Sequence, residues 1–147
     1  MSARFLLDAN ALSEPARPRP DPKFMHQFEL HRHALATAAP AWHEVLHGVE
    51  AMPAGRKRDA IESYLLGTLL PTLEVLPYDE AAARWHARER ARLRASGWAV
   101  PFADGLVAAV ARRHDLPLVT NNLKDFAGFA GLRAISWIPQ GKTVASD

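Results

Sequence analysis

The sequence predicts an α/β protein: a central, mostly parallel β-sheet flanked by α-helices. Short apolar runs alternate with amphipathic stretches, and this strand-then-helix order calls for parallel pairing with helical crossovers. At 147 residues the chain is long enough to bury one core unaided. It has no cysteine, which excludes disulfide scaffolds, thiolate zinc sites and cysteine nucleophiles together. A single domain over 1–147 is expected, with a flexible tail from about residue 137.

Phe5-Leu6-Leu7 reads as a short buried strand, and Asp8-Ala9-Asn10 leaves its carboxyl end. Ligands gather outside such ends in open α/β sheets, so Asp8 is a candidate ligand; it is equally a candidate cap of the following turn. Four prolines between Pro15 and Pro22 forbid regular helix and predict an extended loop before a helix over about Lys23 to His31. Ala34 to Ala38 is a weak strand. Pro40 then stands at a helix start, and Trp42, Val45, Leu46 and Val49 repeat at helical spacing. Glu44 adjoins that stripe, where a first-turn glutamate suits the helix dipole as well as a metal.

A second helix is predicted from Arg56 to Leu70, stopped by Pro71, with Ile61, Tyr64, Leu65, Thr68 and Leu69 in step as core or dimer-face residues. Leu73 to Leu76 is a strand, and Asp79 is the N-cap candidate of an arginine-rich helix ending near Ser96-Gly97. The alanine-rich segment Val100 to Ala111 predicts a tightly packed helix whose one charge is Asp104, a carboxylate that burial would favour pairing or binding to metal. Leu116 to Val119 is the next strand. It ends in Thr120-Asn121-Asn122 and Asp125, polar groups again at a strand's end. A last short strand is expected near Leu132 to Ile135.

Formal net charge is only +2, from 18 basic and 16 acidic residues, but it is unevenly spread. Arg84, Arg88, Arg90, Arg92 and Arg94 crowd one helix, and Arg56-Lys57-Arg58 form a second cluster. Such clusters attract polyanions; they also suit a solvated helix face with intrahelical pairs such as Glu80 with Arg84. No apolar run reaches the ~20 residues of a membrane span, so a cytoplasmic protein is expected. The seven histidines are dispersed and read as structural or surface groups.

Right-handed crossovers would carry the ends of the first and fourth strands to one edge, so Asp8, Glu44, Asp104 and Asp125 are expected to converge. Carboxylates held close repel, and a divalent cation relieves that cost while leaving each ionised. Hard oxygen ligands favour magnesium, or manganese, over zinc. Phosphodiester hydrolysis by activated water is the natural chemistry of such a site.

In order and spacing, Leu6-Leu7-Asp8-Ala9-Asn10 with Leu12-Ser13-Glu14, Trp42-His43-Glu44, Pro101 to Ala109 and Val119-Thr120-Asn121-Asn122 with Asp125-Phe126 resemble PIN-domain proteins. The resemblance is to the VapC-type and FitB-like toxins of bacterial toxin-antitoxin pairs. It implies a PIN fold and a magnesium-dependent endoribonuclease. It also implies a homodimer, silenced by a cognate antitoxin whose tail enters the acidic site. Carried over by position, it makes Asp8, Glu44 and Asp104 metal-binding carboxylates and Asp125 the fourth acid, with Asn10 and Thr120 in support. Ala9 departs from the pattern by lacking a hydroxyl. Asn122 departs by standing where many relatives carry an acid, which leaves the fourth charge to Asp125 and implies one well-held magnesium, with any second ion arriving with RNA.

Because FitB-like proteins are associated with DNA-binding antitoxins, the other reading is a partner-bound corepressor that meets DNA only through its antitoxin. An aspartate-nucleophile phosphatase wants a second acid two residues after the first, and Asn10 occupies that position. Dinucleotide binding fails because no glycine-rich turn follows the first strand.

Overall fold

The computed structural model describes residues 3–139. Among them, strands β1 (Phe5–Leu7), β2 (Leu35–Ala38), β3 (Leu73–Leu76), β4 (Leu118–Val119) and β5 (Ala134–Ile135) form one sheet. The order is β3-β2-β1-β4-β5 and every pairing is parallel, as the strand-then-helix order predicts. Helices α1 (Ala9–Ser13), α2 (Pro22–Leu30), α3 (Ala39–Glu50), α4 (Arg56–Glu62), α5 (Glu80–Ala95) and α6 (Phe102–Arg113) cover the two faces.

The alternation of side chains along β1 divides the core into two. Leu6 faces Leu93 of α5 and Val107, Ala108 and Ala111 of α6. Leu7 faces the opposite layer, with Leu12, Phe24, Phe28, Val45 and Val49 from α1, α2 and α3. Small residues let α6 approach closely. At Gly105 a Cβ would lie 2.2 Å from His86 Nε2, so only glycine admits the buried imidazole of α5. The His86 ring is fixed on its other side by the Tyr78 hydroxyl, 2.9 Å from Nδ1.

Several boundaries differ from expectation. Pro22 opens α2 because Asp21 caps it, accepting from Lys23 N–H and Phe24 N–H at 2.9 Å. The helix begun by α4 continues as a wider π-helical segment, Ser63–Leu69, which turns Leu65 and Leu69 inward but leaves Thr68 exposed. Only Leu118–Val119 and Ala134–Ile135 are paired in the last two strands, Pro117 having no N–H to give a ladder. Asp79 caps α5 as expected, accepting from Ala82 N–H at 2.9 Å. Trp137, placed by its position in the expected tail, is instead buried and packs against Phe5, Phe24 and His31. The rest of that tail, 140–147, lies outside the described residues.

Candidate active site

The β1–β4 register pairs Leu7 with Val119, so the residues that leave the two strands, Asp8 and Thr120, stand side by side at the carboxyl edge. Asp8 N–H donates to Val119 O at 3.1 Å, locking this alignment. The Asp8 side chain caps α1, accepting from Ala11 N–H at 2.9 Å, and is also held by the Thr120 side chain. The cap expected of Asp8 is therefore formed, by the same carboxylate that is the candidate ligand. Burial raises its pKa above the ordinary carboxylate value, and these hydrogen bonds oppose the rise.

Asp104 lies in the first turn of α6, where the small residues beneath bring the helix down onto the sheet. Its pKa is pushed up to about 6, first by burial and then by the charges of Asp125, Asp8 and Glu44. The other three acids chosen from the sequence therefore lie close enough for their charges to act on Asp104. Glu44 is exposed on α3. Because α3 starts at Ala39, directly after β2, Glu44 lies in its second turn, where the dipole no longer accounts for it. Asp125 sits on a 3-10 turn, Leu123–Phe126, and its Oδ2 accepts from the Asn122 amide at 2.7 Å. Asn122 thus orients the fourth acid, and its own N–H is held by Thr120 Oγ1 at 3.0 Å.

Among the described residues, no three Asp, Glu or His side chains form a ready-made cage for one ion. The donor set nonetheless fits a hard cation. Every candidate is an oxygen ligand, the mutual repulsion that raises Asp104 is what a divalent charge relieves, and magnesium uses one or two carboxylates while keeping several waters.

A groove of about 410 Å³ is lined by residues of α1, α3 and α4, among them Asn10, Glu44 and Lys57, and by Arg17. Asn10 itself is exposed. A further acid, Glu14, went unassigned in the sequence although it is 2 % exposed. It accepts from Asp21 N–H at 2.9 Å, from the Asn121 amide at 3.3 Å and from Arg17 at 3.2 Å, tying the proline loop to the end of β4. Its sequence signal is its place in the Leu12-Ser13-Glu14 segment of the family motif, to which no role was attached.

The PIN domain family profile matches residues 5–132, a span that includes all four acids, and the chain belongs to this family. It is 34 % identical over 139 residues to a VapC ribonuclease of Sinorhizobium fredii, covering 92 % of this chain and 99 % of the relative. It is 31 % identical over 125 residues to the toxin FitB of Neisseria gonorrhoeae, covering 83 % of this chain and 90 % of that protein. Among solved structures, FitAB bound to a DNA fragment aligns with a TM-score of 0.84 at 26 % identity, over 95 % of this chain and 99 % of the other. The resemblance carried by the motifs is borne out at the level of family and fold.

Proposed function

We propose that the chain is the endoribonuclease toxin of a toxin-antitoxin pair, cleaving RNA at the carboxyl edge of the sheet with magnesium, or manganese, held by Asp8, Asp104, Glu44 and Asp125. The observation that carries this reading is the Asp104 carboxyl pushed up to about 6 by burial and three neighbouring acids. Such a group is costly to keep ionised, and among the described residues no cation lowers its pKa to offset the cost. A divalent ion there would supply Lewis acidity, lowering the pKa of water and neutralising charge on the phosphodiester. Asp8, pinned by Ala11 N–H and Thr120, and Asp125, oriented by Asn122, keep their carboxylates pre-aimed. Arg17 and Lys57 give the neighbouring groove the positive charge that RNA phosphates need.

The relatives' names support a ribonuclease and a toxin, and the FitAB neighbour supports a cognate antitoxin as the partner that restrains it. A homodimer fits Leu66, 43 % exposed on the helical segment that continues α4. No helix among the described residues is long and apolar enough to cross a membrane, in keeping with a cytoplasmic toxin. The partner-bound corepressor remains a second reading, favoured by the DNA in the FitAB structure.

The two separate in one experiment. Partner-free protein with Mg²⁺ or Mn²⁺ is expected to cleave RNA, and Asp8→Asn or Asp104→Asn to lower the rate at least ~100-fold. A chelator is expected to abolish cleavage. If wild type and both variants are equally inert toward diverse RNAs while antitoxin binding is intact, the corepressor reading replaces the nuclease.

A further inference from the structure

Across α6 from the acids lies a second cavity of about 300 Å³, between the later turns of α5 and residues 97–101. His86, Leu93 and Phe129 line it, together with Arg90, Arg94 and Trp98. Trp98 is 48 % exposed, yet its six-membered ring lies against Gly128, where a Cβ would come within 3.2 Å of it. The indole is therefore an anchored plate. Phe102, 54 % exposed at the start of α6, carries the Arg90 guanidinium 4.9 Å from its ring centroid.

The charges on α5 are not uniformly solvated pairs. Arg84 is bound to Glu80 and Arg92 to Glu89, whereas Arg90 and Arg94, one turn apart at the cavity, form no ion pair among the described residues. Unpaired arginines interleaved with exposed aromatic rings are what single-stranded nucleic acid requires, since every base has a stackable face and every linkage a charge. A second copy of the chain fits less well, because a self-complementary contact on this patch would bring the same arginines together.

We infer that Trp98, Phe102, Arg90 and Arg94 form a subsite for an unpaired base and its flanking phosphates, holding single-stranded RNA whose neighbouring linkage lies at Asp104. Phe102 and Asp104 share the first turn of α6, so a strand crossing that turn reaches from one to the other. The inference rests on the ribonuclease reading and adds to it where the strand lies and that it must be unpaired.

The test is binding of a labelled single-stranded RNA to the full chain in chelator, where cleavage is silent, followed by cleavage in Mn²⁺. Trp98→Ala is expected to weaken binding about tenfold and Trp98→Tyr to restore it, because stacking needs a ring rather than indole itself. Arg94→Ala is expected to reduce the salt dependence of binding by about one released ion. RNA is expected to quench tryptophan fluorescence in wild type, and the part of that quenching due to Trp98 to be lost in Trp98→Ala. If wild type cleaves RNA but Trp98→Ala binds it as tightly, the subsite is overturned and the ribonuclease reading stands. If wild type neither binds nor cleaves any RNA, that reading falls and the subsite with it. If Trp98→Ala instead turns a dimer into a monomer without changing RNA affinity, the patch belongs to a second copy and the proposal is overturned.

Discussion

At Asp104 folding and ionisation oppose one another, because the fold that lifts its carboxyl to about 6 removes it from water and places three acids nearby. An unfolded aspartate titrates near 3.8, so between 3.8 and about 6 the folded chain binds the extra proton. Stability linked to this group is therefore lost as pH rises through that window. Asp104→Asn is expected to raise the metal-free melting temperature at pH 7.5 by ~2–4 °C, corresponding to about 1 kcal/mol after allowance for solvent screening, and to change it little at pH 3.5. Thermal melting at the two pH values checks this. Asp8 and Asp104 were legible as sequence because each is a charge at the edge of an apolar run. The burial of Glu14 was not, since a lone glutamate after Leu12-Ser13 gives no sign that the Asn121 amide, 107 positions away in the chain, will meet it.

The packing of α5 on α6 depends on a single absent side chain. Gly105→Ala would place a methyl within 2.2 Å of His86 Nε2, a clash with a ring already fixed by Tyr78. The expected cost is ~1–3 kcal/mol in denaturant melts, largely recovered when His86→Ala is added to make room. Equal stability of Gly105→Ala and wild type would show that the two helices slide apart freely. Element types were readable here from local pattern: the alanine-rich α6, the capped α5 and the leucine-rich β1 all declare themselves. The π-helical continuation of α4 was not readable, because its apolar residues repeat at ordinary helical spacing. Neither was the start of α3 at Ala39, since β2 passes into it without a loop and Pro40 marked the wrong residue as first.

For the whole molecule, on the metal-binding reading, binding a cation and folding should reinforce each other, since the acids are drawn from the end of β1, α3, α6 and the turn after β4. With Mn²⁺ at ~100 times its Kd, about 2.7 kcal/mol of added stability is expected. The gain should be large at pH 7.5 and fade as pH falls through the Asp104 value of about 6, where protons compete for the ligand. Differential scanning fluorimetry with and without Mn²⁺ reads this directly, and a gain independent of pH would remove Asp104 from the site. The parallel sheet was legible from the alternation of strands and helices, but not its order, because which strands become neighbours is settled by packing across the chain rather than by any local run. On the ribonuclease reading, the assembly of this edge also sets when the chain can become active during its own synthesis. The first strand emerges from the ribosome long before β4, whose pairing sets Thr120 beside Asp8, and Asp125 emerges later still. A chain cut short before Asp125 lacks the assembled centre, so on the ribonuclease reading aborted translation yields an inert fragment, and a nascent chain spares the message that encodes it.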